Sequence, residues 1–237
     1  MRTKFIITTR PESKYRNPGE KYCFRVVNIP VSEIVPDKAF SLEDFQSFRA
    51  DILVFTSSVG ASIFLEKFGK SAAGDCQILC IGRDTAEPFL SSGMKVTLPE
   101  SFDSKGLIRL IGSKFHGSRI ALLRSDRANS ELTDFLSAHY YEFRDFILYR
   151  LKGVESDLAA VNDTHCAGIL ITSSFEASIV IDYIERERTR IPNLYAIGST
   201  TAEFLDSKGY RVAGKVPNSN FLEALAEIEK DLCRNKK

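Results

Sequence analysis

The sequence predicts an α/β protein made of two doubly wound parallel sheets. Two observations predict it. Short β-branched runs alternate with amphipathic stretches along the chain, the pattern of parallel strands covered on both faces by helices. The chain also repeats itself. Leu79–Gly93 reads LCIGRDTAEPFLSSG and Tyr195–Gly209 reads YAIGSTTAEFLDSKG, with Gly82 and Gly198 separated by 198 − 82 = 116 residues. Val54–Ser58 (VFTSS) and Leu170–Ser174 (LITSS) match at the same spacing, 174 − 58 = 116. Solenoid repeats run about 20–50 residues, so this period marks the duplication of a whole α/β module.

The elements follow in order. Phe5–Thr9 is a buried strand, ended by Arg10-Pro11. Pro18-Gly19 leaves room only for a short, broken helix between Arg10 and Tyr22. Phe24–Ile29 is a strand stopped at Pro30, and Val31–Pro36 an extended connector. Ser41 opens a helix with Glu43 and Asp44 in its first turn. Ile52–Thr56 is a continuous apolar strand, and Ser57-Ser58 cap a helix with Ala61, Phe64, Leu65 and Phe68 inward. Gln77–Ile81 is a strand, Gly82–Asp84 a turn, Thr85–Ser91 a helix closed by Gly93, and Met94–Leu98 a further strand. Ser104 opens the next helix. Arg119–Arg124 is a strand matching Phe5–Thr9 at 124 − 8 = 116. Leu132, Phe135 and Leu136 mark a helix face, and Phe143–Leu151 is extended.

The second pass repeats the first. Asp157–Val161 is a helix fragment, Gly168–Thr172 a strand and Ser174–Arg186 a helix. Leu194–Ile197, Thr200–Ser207, Tyr210–Ala213 and Asn220–Leu232 follow as strand, helix, strand and helix. The tail Arg234–Lys237 is expected to fray. If Phe5–Thr9 joins the sheet of the C-terminal half, one domain is discontinuous. It then comprises 1–30 and 151–237, the other domain 36–145, and crossovers near 29–38 and 143–152 join them.

Composition excludes several classes. A net charge of +1 gives no general attraction to nucleic acid. No window approaches the ~20 apolar residues of a membrane span, and MRTKFIITTR is too short an apolar run for a secretory leader. Five scattered cysteines, an odd number, suit reduced thiols in the cytoplasm. Cys76 and Cys80 lack a nearby His or second Cys pair, so buried thiols are expected there rather than zinc.

Ligands of open parallel sheets sit beyond the carboxyl ends of the strands. Thr56-Ser57-Ser58, Gly82–Thr85, Thr172-Ser173-Ser174 and Gly198-Ser199-Thr200-Thr201 fall there. Small residues let a ligand reach the backbone, hydroxyls donate, and helix N-termini favour carboxylate or phosphate. Helix capping explains any one of these loops alone. Four in duplicated pairs strengthen the reading of two rims suited to anions. No P-loop, G-x-G-x-x-G or G-x-S-x-G is present. His116, His139 and His165 lie outside the loops.

The segments VFTSSVGASIFLEKF, CIGRDTAEPFLSSG, ILYR, ILITSSFEAS and YAIGSTTAEFLDSKGY, taken in order, resemble the uroporphyrinogen-III synthase family. The resemblance covers nearly the whole chain. It implies two flavodoxin-like domains joined by a two-stranded linker, with the active site in the cleft. It also implies closure of hydroxymethylbilane to uroporphyrinogen III with loss of water and inversion of ring D, without cofactor or metal. The partner is then a linear tetrapyrrole polycarboxylate, and a monomer is expected. The resemblance gives Tyr149 of ILYR the task of helping expel the hydroxyl; an aromatic packed in the linker is the alternative. It assigns Thr85, Thr200 and Thr201, with Thr56, Ser57, Thr172 and Ser173, to the rims. Pro11, Pro18 and Gly19 depart from the family's first helix, which leaves Arg10 either meeting a carboxylate or exposed at a strand end. A non-catalytic binding protein for an acidic metabolite is the alternative function.

Overall fold

A computed structural model describes residues 3–216 and 220–234, without the side chains of 215, 216, 233 and 234. The end of the tail expected to fray, 235–237, lies outside the described residues. The chain divides into two compact units: unit 1 is Met1–Ile34 with Lys152–Lys237, and unit 2 is Val35–Leu151.

Unit 1 holds the sheet of β1 (Phe5–Thr8), β2 (Arg25–Asn28), β8 (Cys166–Ile171), β9 (Leu194–Ile197) and β10 (Val212–Val216). Its spatial order is β10-β9-β8-β1-β2, every pairing parallel. Numbered along the chain within the unit, that is the flavodoxin-like order 2-1-3-4-5. One face, with Ile7, Ile169, Ile171 and Ala196, packs on α6 (Ser174–Glu187) and α7 (Ser199–Ser207) through Val180, Ile184 and Leu205. The alternate residues Ile6, Leu170 and Tyr195 meet Ala224, Leu225 and Ile228 of α8 (Phe221–Arg234). This is the period-two alternation of a sheet covered on both faces.

Unit 2 has the order β3-β7-β6-β4-β5: β3 (Ser32–Pro36), β7 (Phe143–Gly153), β6 (Ile120–Ser125), β4 (Ile52–Phe55) and β5 (Gln77–Cys80). Pairings β7-β6, β6-β4 and β4-β5 are parallel. β3 runs antiparallel to β7. Asp37 N–H donates to Leu148 O and Val154 N–H to Val31 O, and 37 + 148 = 31 + 154 = 185. The connector expected at Val31–Pro36 is therefore a paired strand, half of a two-stranded linker. Ile52, Val54, Ile120 and Leu122 face Leu107 and Ile111 of α4 (Ser104–Lys114) and Leu132 and Leu136 of α5 (Glu131–Ala138). On the other face Phe55 meets Phe64 of α2 (Ser58–Phe68) at 5.4 Å and Phe89 of α3 (Arg83–Ser91) at 4.7 Å between ring centroids. Phe55 is wholly buried, and truncating such a ring to alanine costs about 3–5 kcal/mol. A short α1 (Leu42–Ser47) is capped by Ser41 as the sequence predicts.

The 116-residue offset maps β4 onto β8, β5 onto β9 and β6 onto β1, with the same neighbours in each sheet. The sequence repeats are tandem, but each spatial unit takes strands from both repeats.

Several expectations change. Met94–Leu98 forms only a single bridge, Thr97 to Leu79. Thr97 exchanges bonds with Ile78 O and Cys80 N–H, and the next ladder position is Pro99, which has no N–H. Helix α4 opens at Ser104 as the sequence predicts, and its cap is Asp103, whose carboxylate accepts from Gly106 N–H at 2.6 Å. The fragment at Asp157–Val161 is a 3₁₀ turn, Ala159–Asn162, and the break after Arg10 holds another, Glu12–Lys14. Strand β10 starts at Val212, two residues later than read.

Candidate active site

The carboxyl ends of β4 and β6, with β7 beside them, bring four groups of unit 2 together. Ser57 ends the turn after β4. Its hydroxyl accepts from Gly60 N–H at 3.0 Å, which caps α2, and lies 2.9 Å from the Tyr149 hydroxyl. Ser125, the last residue of β6, is the ladder partner of Tyr149 and pulls the phenol's pKa down. Asp126 follows it, accepts from Leu151 N–H at 3.0 Å and adds negative charge nearby. The Tyr149 ring is 4% exposed. Burial, and to a smaller extent Asp126, push its pKa above the usual tyrosine value, against the opposing pull of Ser57 and Ser125. The phenol is thus a neutral donor at physiological pH.

Linker strand β7 carries the tyrosine, and ion pairs fix its register. Arg150 pairs with the buried Asp37 at 2.9 Å and reaches Asp126 at 3.9 Å. Arg124, buried on β6, makes a two-pronged contact with Asp145 at 2.9 and 2.6 Å and donates to Asn129 O at 2.8 Å. The planar guanidinium fits both carboxylate oxygens at once, so β6 and β7 cannot slip past each other without breaking it.

The second rim residue group of unit 2 is divided. Gly82 is extended and half-buried at the start of α3, and the side chain of the exposed Phe102 lies over it, its Cβ 3.3 Å and its ring 3.5 Å from where an added Cβ would stand. Arg83 stacks on that ring at 5.7 Å. Thr85 is the third residue of α3 and 5% exposed, so its side chain offers little surface. Thr56 and Ser58 are half-buried on either side of Ser57.

Unit 1 repeats the geometry with different groups. Ser173 caps α6, accepting from Glu176 N–H at 3.2 Å. Ser174 donates to Thr200 O at 3.4 Å, joining the two rim loops. Gly198 has φ +78°, a left-handed conformation that glycine adopts freely. Ser199 and Thr200 are exposed, whereas Thr201 is buried at 4%. Thr172 turns inward: its N–H donates to Glu176 Oε2 at 3.1 Å and its hydroxyl to Oε1 at 3.0 Å. Thr9, at the end of β1, donates its hydroxyl to Oε2 at 2.9 Å. Arg10 is not an exposed strand-end residue. It is half-buried, its guanidinium 4.6 Å from the Phe221 ring centroid, because the ring attracts the cation and its stem covers apolar surface.

Sequence reasoning missed Ser125, Asp126, Phe102 and Glu176. Ser125 was accessible through the offset, as the counterpart of Thr9 (125 − 116 = 9). Glu176 sits three residues after its cap, where a glutamate reads as an ordinary capping box. Among the described residues no group of three or more His, Cys, Asp or Glu is placed to hold a metal ion. A pocket lined by Lys4, His165, Cys166 and Arg190 lies at the amino ends of the unit 1 strands, away from the rims. Burial pushes the Cys166 thiol up, so it is no nucleophile.

Paired flavodoxin-like units with hydroxyl-bearing strand ends define a class of duplicated α/β proteins, and solved structures of that class match along the whole chain. A mutant uroporphyrinogen III synthase from the extremely thermophilic bacterium Thermus thermophilus aligns with TM-score 0.65 and 14% identity, covering 98% of this chain and 99% of that one. Uroporphyrinogen-III synthetase from Helicobacter pylori 26695 aligns with TM-score 0.64 and 17% identity, covering 97% and 99%. At these identities the likeness establishes the fold. No curated protein sequence matches the chain. The family model described as uroporphyrinogen-III synthase HemD matches residues 13–226. The chain belongs to the uroporphyrinogen-III synthase family.

Proposed function

We propose that this chain cyclises hydroxymethylbilane to uroporphyrinogen III with loss of water, a cyclising hydro-lyase, and that Tyr149 is its catalytic acid. Family membership gives the reaction class. The observation that supports the residue is the Tyr149 hydroxyl, held 2.9 Å from Ser57 at the carboxyl ends of the unit 2 strands and kept neutral by its surroundings.

The substrate ends in a hydroxymethyl group on a pyrrole. The pyrrole nitrogen pushes electrons toward that carbon, the C–O bond breaks, and the oxygen leaves as water. A neutral phenol can donate a hydrogen bond or a proton to the departing oxygen. The Ser57 hydrogen bond fixes the phenol's direction. The carbon left behind is electrophilic and is attacked by the substituted position of the terminal ring. The resulting spiro intermediate breaks the bond from that position to its original bridging carbon, which then bonds to the free α-carbon of the same ring with loss of that carbon's proton, and the ring is inverted. Holding the two ends together is the larger part of this work. Main-chain N–H groups and hydroxyls at Ser58, Gly82, Ser174, Gly198, Ser199 and Thr200 would take the acetate and propionate carboxylates. The reduced thiols of Cys23, Cys76, Cys80 and Cys166 support a reducing, cytoplasmic setting, and a monomer is the expected form.

The test is turnover of hydroxymethylbilane by purified protein without added metal or cofactor, with the product isomers separated. Type III product is expected. Type I alone, which forms without a catalyst, would reject the assignment.

A further inference from the structure

The two units place different titratable groups at equivalent positions. At the 116-residue offset Thr9 corresponds to Ser125, Ser173 to Ser57, and Glu176 to Gly60. In unit 2 the space between the ends of β6 and β4 holds the Tyr149 hydroxyl, 2.9 Å from Ser57 and beside Ser125. Gly60 leaves that space open, since an added Cβ would stand 3.3 Å from Ser57 Oγ and 3.4 Å from Leu123 O. In unit 1 the corresponding space, between the ends of β1 and β8, holds the Glu176 carboxyl. It accepts from Thr9 at 2.9 Å and from the Thr172 N–H and hydroxyl at 3.0–3.1 Å.

Three donors point at one carboxylate that is 3% exposed. Ordinary helix capping does not account for them, because Glu176 does not return to the backbone N–H of its own cap. Instead it occupies the donors of Thr172, a residue at the rim. While Glu176 is ionised, both threonine hydrogens are turned inward and a negative charge sits beneath the rim. A substrate carboxylate arriving there meets repulsion and a spent donor.

We propose that Glu176 is a positioning residue for the tetrapyrrole, one that takes up a proton as a substrate carboxylate docks on unit 1. The proton comes from solvent and ends on a Glu176 oxygen. The new O–H donates to the Thr172 oxygen, and the Thr172 hydrogen swings out toward the substrate. Thr9 is wholly buried, so Thr172, which is half-buried, is the hydroxyl free to turn. Desolvation by burial, the largest influence, already favours the protonated form; Thr9, Thr172 and the charge of Lys14 oppose it. Lys14 stands on the 3₁₀ turn after β1, and Arg10 acts on Lys14 in turn. Lys14 is the cation that acts on Glu176, and a protonated Glu176 leaves its field to the substrate.

The inference rests on the proposed synthase activity. The experiment measures kcat and KM for hydroxymethylbilane from pH 6 to 9, with type III product as readout, for the wild type and Glu176→Gln. Substrate carboxylates stay ionised over this range. In the wild type, KM should rise with pH toward tenfold per unit once Glu176 is ionised in the free protein. Glutamine copies the protonated acid, so Glu176→Gln should keep kcat and lose that rise. Equal pH slopes in the two proteins would overturn the proposal. If the glutamine variant does not fold, Glu176→Gly copies Gly60. It should raise KM at every pH and also flatten the slope; a retained slope overturns the proposal equally. Absence of type III product from the wild type would instead refute the activity.

Discussion

Replacing Tyr149 by phenylalanine removes one oxygen and leaves the ring in place. The structural loss is small. The Ser57–Tyr149 hydrogen bond of 2.9 Å goes, a loss of about 1 kcal/mol net. Ser57 keeps its bond to Gly60 N–H at 3.0 Å, so the α2 cap survives. Unit 2 spans Val35–Leu151, and for a unit of that size 1 kcal/mol moves Tm by about 3–6 °C. The chemical loss should be larger. A positioned acid contributes about 10²–10⁴ in rate, or about 2.7–5.5 kcal/mol of barrier. Type III formation, followed by quench, oxidation and isomer separation, should therefore show kcat down at least a hundredfold with KM within about threefold. Far-ultraviolet melting should show the modest Tm shift. An unchanged kcat would remove Tyr149 from the mechanism. A Tm fall beyond about 10 °C with a parallel loss of bound substrate would make the residue a packing element. Since burial raises the phenol's pKa above the usual value, ionisation of Tyr149 should cause no loss of rate up to pH 9.

Three further outcomes follow from geometry and charge. Glu176 has its pKa raised on folding, by burial above all. The folded state therefore binds the extra proton between the unfolded value of 4.5 and the raised one. Wild-type stability should then fall as pH rises through that window, by about 1.4 kcal/mol for each unit of displacement. Glu176→Gln should not share the fall, and parallel Tm curves from pH 4.5 to 8 would contradict this. Arg124→Met breaks the buried contact with Asp145 and should destabilise by about 2–3 kcal/mol, less than a fully buried pair because Asp145 is a third exposed; urea unfolding within 0.5 kcal/mol of wild type would refute it. Burial pushes the Cys80 thiol up to about 12, so iodoacetamide at pH 8 should label exposed Cys23 long before Cys80, as peptide mapping would show.

The strand ends were legible because apolar runs and capping serines are local signals repeated at one offset. The direction of each hydroxyl was not. Thr172 reads as a rim donor, yet its partner depends on a carboxylate that also binds Thr9, 167 positions away from Glu176. Tyr149 and Ser57 are 92 positions apart. Thr85 and Thr201 share the rim motifs but turn into the helix packing. Such contacts are set by the register of strands, which hydrophobic pattern fixes only to the face. The lost strand at Met94–Leu98 was readable in hindsight from Pro99, a missing donor at the next ladder position.

The exchange of strands between repeats also sets an order of events at the ribosome. Unit 2 has all its strands once Gly153 has emerged. β1 and β2 are made first, but their neighbour β8 begins 166 − 28 = 138 residues after β2 ends. At about 5–20 residues per second that is a delay of roughly 7–28 s. The nascent Phe5–Thr8 segment must stay unpaired on one edge throughout, so the part of the protein synthesised earliest is among the last to fold.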